Sequence, residues 1–129
     1  MVKKIVLPPD AFLQVCSSRA VLLRIGQKWT VLAMVALQSS PRRFGDLRRR
    51  LDGISQKMLT QTLRAMERDG IVQRQLHDER PIRVEYELTP LGRSLLPIVV
   101  ALKHWAEERL PAIEASNRAY DKAFAGVGC

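Results

Sequence analysis

One run of residues, 54–70, constrains the fold of this chain more than any other stretch. Its sequence is ISQKMLTQTLRAMERDG. Ser55 is a typical helix N-cap residue, and Gly70 favours the left-handed backbone conformation that ends many helices. Between them, apolar side chains recur at the three- and four-residue spacing of one helix face, at Leu59, Leu63 and Met66. The run therefore predicts an amphipathic helix that packs one face against a core.

The opposite face of this predicted helix is polar. It carries amide, hydroxyl and cationic side chains, which can bond to base edges in the major groove or donate to phosphates. On this face and in the early turns we predict base-reading contacts for Gln56, Lys57, Thr60, Gln61 and Arg64. Arg68, in the last turn, is predicted to contact a phosphate. The alternative is an ordinary amphipathic surface helix, and the segments on either side argue against it.

A second, shorter helix is predicted just before this one, in RRFGDLRRRLDG at 42–53. Phe44, Leu47 and Leu51 keep helical spacing, and Gly53 ends the segment. Two short helices joined in this way are typical of a helix-turn-helix, in which the first helix braces the second against the duplex. We therefore predict phosphate contacts for the arginines of this segment, with a solvated charged face as the alternative for each: Arg42, Arg43, Arg48, Arg49 and Arg50.

Beyond Gly70 the pattern changes from helix to strand. IVQRQL is followed by a five-residue loop, HDERP, and then by IRVEYEL, in which apolar and charged residues alternate from Ile82. This predicts a β-hairpin, and a hairpin after a recognition helix is a wing whose tip can enter the minor groove. We expect His77, Arg80 and Arg83 near the tip. The alternative for His77 is an exposed loop histidine with no role.

The segments on both sides of this unit predict further helices. KWTVLAMVALQ, at 28–38, is apolar around most of its circumference, which indicates a central helix with Trp29 in the core. Before it, a helical turn is expected near 11–15, followed by a helix that Ser17 or Ser18 caps and that Gly26 closes as Gly70 closes the later helix. Another helix is expected at 111–124.

Thr89 and Pro90 are typical first residues of a helix. Heptad spacing follows along that helix, and we predict a dimer interface there, with packing against the first helix of the same chain as the alternative. Pro97 lies inside the pattern and is expected to kink the helix or to end its first half. The predicted interface residues are Leu91, Leu95, Ile98, Leu102 and Trp105.

The charge balance favours a polyanionic partner. The formal net charge is +8, and 11 basic against 6 acidic residues lie between Arg42 and Arg83. Aromatic residues make up only 5% of the chain, which argues against the stacking platforms of RNA-binding sheets. No glycine-rich phosphate loop, paired metal-binding histidines or nucleophile motif occurs, so we expect no enzyme activity, no cofactor and no metal site. No apolar run reaches the ~20 residues of a membrane span, and a cytoplasmic protein is expected.

The expected fold is mainly α with a small β-hairpin wing: one winged helix-turn-helix domain over 1–129. Its DNA-binding core spans about 28–88, and dimerisation helices flank it at about 11–25 and 90–124. The expected partner is double-stranded DNA.

Three motifs in order carry a resemblance to a known family. They are IGQKW at 25–29, RRFGDLRRRLDGISQKMLTQTLRAMERDGIV at 42–72 and RVEYELTPLGRSL at 83–95. From about Cys16 to Trp105 the chain resembles the HxlR-type winged helix-turn-helix regulators of bacteria, relatives of the MarR group. The resemblance implies a homodimer that binds a palindromic operator as a repressor or an activator.

The resemblance also bears on Cys16, because several HxlR-type regulators carry a cysteine here and use it to sense oxidants or electrophiles. The start of a helix at Ser17 or Ser18 and the nearby Arg19 favour the thiolate. Two interpretations stay open: a redox or electrophile switch, and a buried inert cysteine. Cys129, at the far end of the chain, is a poor resolving partner, so any disulfide is expected with another subunit or a small thiol.

Two further functions stay open beside the thiol-controlled regulator. One is a dimeric regulator that responds to a small-molecule ligand. The other is a winged helix used as a protein-interaction adaptor, since a fold alone does not determine function.

Overall fold

Six helices and one antiparallel hairpin follow one another in residues 7–125, the part of the chain that this computed structural model describes. In chain order they are α1 (Ser17–Ile25), α2 (Lys28–Ala36), α3 (Phe44–Arg50), α4 (Gln56–Arg68), β1 (Val72–His77), β2 (Arg83–Leu88), α5 (Pro90–Glu108) and α6 (Leu110–Phe124). This is the winged helix-turn-helix arrangement predicted from the sequence. No helix among these residues is both long and apolar enough to cross a membrane.

The core forms around α2, as its apolar sequence predicts. Ala33, Met34 and the following Leu37 are completely buried. The apolar face of α4 packs into the same cluster. Val72 and Leu88, at the base of the wing, and Val99 of α5 also belong to it. Trp29 is only half-buried, at the edge of this cluster. The reading helix is therefore fixed to the centre of the fold through its buried side.

Both predicted ends of α4 are confirmed. The Ser55 hydroxyl accepts a hydrogen bond from the backbone N–H of Met58 at 3.0 Å. Gly70 has φ 76°, and Gly53, which precedes the helix, has φ 89°. Side chains with a Cβ rarely adopt such angles, so these two glycines allow the chain to turn sharply before and after the reading helix.

The hairpin begins one residue later than predicted. His77 pairs with Arg83, so the five-residue loop is 78–82, and Ile82 lies in this loop with 67% of its surface exposed. The backbone of Arg42 adds a short bridge to the sheet, because its N–H and C=O bond to Tyr86 at 2.9 and 2.7 Å. This bridge joins the segment before α3 to the wing.

The predicted start of α1 is wrong. Residues 11–15 form turns, the helix begins at Ser17, and Cys16 occupies the N-cap position without a side-chain capping bond. Ser17 and Ser18 are the first two residues inside the helix and so cannot cap it, and the Ser18 hydroxyl lies 3.0 Å from the sulfur of Cys16. Gly26 has φ −76°, unlike Gly70, because its N–H still bonds to Leu22 C=O and α2 starts almost at once.

Helix α5 runs without a break through Pro97, so the expectation that this proline ends its first half is wrong. Pro97 and Arg93 are both exposed, and water can therefore bond to the carbonyl that loses its helical partner. The start of the helix is as predicted: the Thr89 hydroxyl accepts from the N–H of Gly92 at 3.1 Å, and Pro90 occupies the first turn. Helix α6 also confirms the prediction for 111–124.

Candidate nucleic-acid interface

The outward face of α4 brings the predicted base-reading residues together. They surround one shallow depression on the protein surface, and no carboxylate lines it: Gln56, Lys57, Thr60, Gln61 and Arg64. All are exposed except Thr60, which is half-buried. The Thr60 hydroxyl donates to Gln56 C=O at 2.9 Å, so this group is not free to donate to a base. The remaining donors are amide and cationic groups, which suit purine edges and phosphates.

Two ion pairs attach the end of α4 to its neighbours. Arg24 of α1 donates to both carboxylate oxygens of Asp69, at 2.8 and 3.0 Å. This fork-to-fork hydrogen bonding raises the pKa of Arg24 above its ordinary value. Arg74 of the wing donates to Glu67 at 3.0 Å. The reading helix is thereby linked to the N-terminal helix on one side and to the wing on the other.

The arginines predicted to contact phosphates do not share one surface. Arg43, Arg48, Arg49 and Arg68 are exposed, and Arg49 pairs with Asp46. Arg42 and Arg50 instead line a separate cleft, which also includes Lys103 of α5. The structure thus places these two arginines beside α5 and not around the depression on α4.

The wing tip is less basic than the sequence suggested. His77 Nε2 lies 3.4 Å from a Glu85 carboxylate oxygen, and Arg83 Nε lies 2.9 Å from the same oxygen, although neither nitrogen has hydrogen-bond geometry. Arg83 also lies 3.5 Å from Glu79. Arg80 is exposed and forms no ion pair within residues 7–125. Arg80 is therefore the tip cation that is free to bind an anion.

Four of the five predicted dimer residues form an exposed stripe along α5, whereas Leu95 is half-buried against the core. Ile98, Leu102 and Trp105 have 65%, 51% and 54% of their surface exposed. On α1, Leu22 and Leu23 are exposed to a similar extent, at 63% and 69%. The alternative was that α1 of the same chain covers the stripe. It covers the stripe only in part, because an open apolar cleft of about 460 Å³ lies between α1 and α5.

Cys16 lies half-buried at the N-terminus of α1. Its sulfur accepts a hydrogen bond from the backbone N–H of Asp10 at 3.3 Å and lies 3.0 Å from the Ser18 hydroxyl. The bond from Ser18, followed by those from backbone groups, lowers the pKa of the Cys16 thiol. Arg19 was expected to be the nearby cation, but it donates to the carbonyls of Ala11 and Phe12 instead. Cys129 lies outside the described residues.

Several residues that organise this surface were missed by sequence reasoning. Arg24 and Asp69 are 45 positions apart, and no local pattern pairs them. Gly92 allows α5 to cross the chain closely, since a Cβ there would lie 2.3 Å from Ile71 C=O. The sequence did contain a signal for Gly92. In the run TPLG the glycine lies in the first turn of a helix, where glycine lowers helix stability, and a close contact is one reason for its presence there.

Comparison with known proteins agrees with this geometry. A family model described as HxlR-like helix-turn-helix matches residues 24–114. The HTH-type transcriptional regulator YtfH of Escherichia coli K12, itself uncharacterized, is 45% identical over 106 residues, which cover 82% of this chain and 84% of the relative. The solved structure of ytfH from Salmonella typhimurium has a TM-score of 0.80 and 42% identity, and covers 86% of this chain and 99% of that one.

The redox regulator HypR in its reduced form is also similar. Its TM-score is 0.70 at 39% identity, over 76% of this chain and 97% of HypR. The matched family model spans more than half of the chain and includes the whole helix-turn-helix and wing. The chain therefore belongs to the HxlR-like helix-turn-helix family, whose members are DNA-binding transcriptional regulators and not enzymes.

Proposed function

We propose that this regulator binds a palindromic operator in double-stranded DNA as a homodimer, with one α4 helix reading each half-site. The observation that carries the proposal is the carboxylate-free polar face of α4, held between Arg24–Asp69 and Arg74–Glu67. Such a face matches the donor and acceptor pattern of the major groove. A regulator of this kind acts where the chromosome is, so we propose a cytoplasmic location.

Exposed apolar surface supports the dimer. The stripe on α5 and the outer residues of α1 would remain in water in a single chain, which is unfavourable for contiguous apolar surface of this extent. A two-fold partner that presents the same surface would bury both stripes against each other. DNA recognition and dimerisation would then use different surfaces of the molecule.

The test is selection of bound sequences from a random duplex library, followed by affinity measurements over a range of salt concentrations. We expect one enriched palindrome, bound about 10³-fold or more tightly than random duplex of the same length. Duplex RNA of matched length serves as the control. Equal affinity for all sequences would indicate a general nucleic-acid-binding protein, and no affinity for any duplex would favour the adaptor function.

We propose further that Arg43, Arg48, Arg49, Arg68 and Arg80 contact phosphates or the minor groove. Replacing Arg80 by Ala should weaken binding to all sequences alike and reduce the salt slope by about one unit, because one phosphate contact is lost. Arg43→Ala and Arg49→Ala should behave similarly. An unchanged salt slope in all three variants would show that the backbone-binding surface lies elsewhere.

A second candidate function is control of DNA binding by oxidation or alkylation of Cys16. The observation that favours it is the pair of hydrogen bonds to the Cys16 sulfur, which lower its pKa and so increase the thiolate fraction at neutral pH. HypR, a redox regulator, shares the fold. We propose that modification of the thiol moves α1 and thereby changes the angle between the two reading helices of the dimer.

This control is tested by operator affinity before and after treatment with diamide, which oxidises two thiols to one disulfide and is itself reduced to the hydrazine. Wild-type protein should lose affinity on oxidation and regain it with dithiothreitol, whereas Cys16→Ser should not respond. An insensitive wild type, or an equally sensitive serine variant, would remove Cys16 as the trigger. The remaining candidate would then be a small-molecule effector.

A further inference from the structure

A cleft of about 450 Å³ lies between α2, the end of α3 and α5, and the proposed DNA contacts do not need it. Its apolar lining comes from α2 and from the residue that follows α3, at Leu32, Val35, Ala36 and Leu51, and Gln38 and Ser39 add polar groups beside it. Cationic side chains from separate elements surround this lining: Arg42, Arg50 and Lys103. Small-molecule sites combine apolar surface with a few placed polar and charged groups, and this cleft offers both kinds of surface.

The cleft lies across α2 from the reading helix. At 3.6 residues per turn, Leu32, Val35 and Ala36 are centred roughly 170° around the helix axis from Thr30. Thr30 lines a different, smaller cavity that α4 also lines with Gln61. The residues of the cleft therefore belong to the side of the core that faces α5, and a duplex bound on α4 would leave them accessible.

Two of the three cations are free to bind an added anion. Lys103 donates to both carboxylate oxygens of Glu107, at 2.8 and 2.9 Å, and is thereby neutralised. Arg42 donates only through Nε, to Ala36 C=O at 3.3 Å, which leaves the outer edge of its guanidinium open. Arg50 forms no ion pair with any residue in the described part of the chain. Asp52 is the carboxylate in the lining, so the cleft keeps a positive balance.

We propose that this cleft binds a small organic monocarboxylate with an aromatic or aliphatic body. The carboxylate would accept hydrogen bonds from Arg50 and Arg42, since a guanidinium edge matches the spacing of two carboxylate oxygens. The body would cover Leu32, Val35 and Ala36, which are half-buried. The proposal does not depend on DNA binding.

The apolar lining decides between this ligand and a nucleic-acid phosphate. A phosphodiester would engage the arginines but would leave the apolar lining in water, so it gains nothing from that surface. A volume of about 450 Å³ falls in the range of roughly 300–1,000 Å³ that is typical of ligand sites, and it is too small for a folded partner. A compact molecule with one negative charge satisfies both parts of the lining.

The experiment titrates the free, full-length protein with benzoate, 3-phenylpropionate and hexanoate up to about 10 mM, the affinity range of fragments. Binding is followed by NMR of methyl groups, comparing Leu32, Val35 and Leu51 with Val21 and Leu91 of the apolar cleft between α1 and α5. We expect saturable shifts at the first set for at least one acid. Benzamide, which keeps the ring but lacks the charge, should not bind.

Arg50→Gln should weaken binding by about 10-fold or more, as expected for loss of a charged hydrogen bond. Arg42→Gln should have a similar effect. Arg49→Gln is the matched control, because it removes the same charge from the adjacent residue, which pairs with Asp46, and it should leave affinity unchanged. Thermal unfolding verifies that each variant is folded. No saturable binding by any acid, shifts confined to Val21 and Leu91, or equal affinity of Arg50→Gln and wild type would overturn the proposal.

Discussion

The side chains on the outer face of α4 differ in what they can offer to a base. Gln56 and Gln61 carry amides that both donate and accept, and Arg64 has a planar set of donors. Thr60 uses its hydroxyl proton on Gln56 C=O, which leaves its methyl group and an acceptor lone pair for the groove. Gln61 and Arg64 are therefore the residues for which loss of the side chain should matter most for sequence selectivity.

We predict that Gln61→Ala or Arg64→Ala weakens binding to the preferred operator by about 1–3 kcal/mol and weakens binding to random duplex much less. The reason is that a base contact exists only with the matching sequence, whereas a phosphate contact exists with any. Fluorescence anisotropy at fixed salt measures both affinities. Arg118→Ala, on α6, is the control for losing one positive charge. Equal losses on both duplexes would mean that the residue contacts phosphate only.

At Cys16 the decisive neighbour is Ser18. Its hydroxyl, 3.0 Å from the sulfur, is the largest cause of the lowered pKa. Ser18→Ala should raise that pKa, so that less thiolate is present at every pH below it and alkylation by iodoacetamide is slower at pH about 7. The pH profile of the alkylation rate should move to higher pH. Ser17→Ala is the control, and equal profiles for Ser18→Ala and wild type would contradict this role.

Among the elements, α5 makes a close backbone contact with the residue that precedes β1. The N–H of Gly92 bonds to the Thr89 hydroxyl, and a Cβ on Gly92 would lie 2.3 Å from Ile71 C=O. Because backbone occupies that space, no side-chain movement can relieve the overlap. The glycine therefore sets how closely helix α5 lies against the wing.

We predict that Gly92→Ala lowers the free energy of unfolding by about 1–3 kcal/mol or more, the usual cost of overpacking. Gly45→Ala is a matched control in helix α3. Its added Cβ would meet only the flexible end of Arg49, at 3.5 Å, and alanine favours the helix by roughly 0.5–1 kcal/mol. Urea unfolding of both variants measures the difference. A Gly92→Ala variant as stable as wild type would show that α5 can shift away from the wing.

Sequence reasoning located the elements whose signals are local. Ser55 and Gly70 define the two ends of α4, and alternation defines the wing. It did not find the Arg24–Asp69 pair or the bridge from Arg42 to Tyr86, since these contacts depend on the distances between elements after folding. Arg42 and Arg50 show the same limit: a charged residue near a reading helix can still lie on another side of the core.

At the scale of the whole molecule, charge and apolar surface are separated. The polar face of α4 and the exposed arginines of α3 mark one surface, whereas most of the uncovered large apolar residues of the helices lie along α1, α5 and α6. In α6 they include Ile113 and the pair Tyr120 and Phe124, whose ring centroids are 4.5 Å apart with the ring planes tilted by 36°. A single chain leaves this second surface in water, and the proposed two-fold dimer would bury it.

The last prediction concerns that dimer. Leu102→Glu should give a folded monomer, because Leu102 is half exposed in a single chain but would be buried at a two-fold interface, where a carboxylate without a partner is costly. Ile82→Glu is the matched control: Ile82 is similarly exposed, but it lies at the wing tip. Sedimentation velocity at micromolar concentration should show a dimer for wild type and Ile82→Glu, and a monomer for Leu102→Glu.

Operator binding should follow the change in assembly. A dimer places its two α4 helices about 34 Å apart, one turn of duplex, so wild type should lose affinity when about 5 base pairs are inserted between half-sites. Leu102→Glu should bind an isolated half-site as well as wild type does, yet gain nothing from a second half-site at any spacing. If the variant sediments as a monomer and still binds the full operator with wild-type affinity, α5 does not hold the dimer that reads DNA, and each chain recognises its half-site independently.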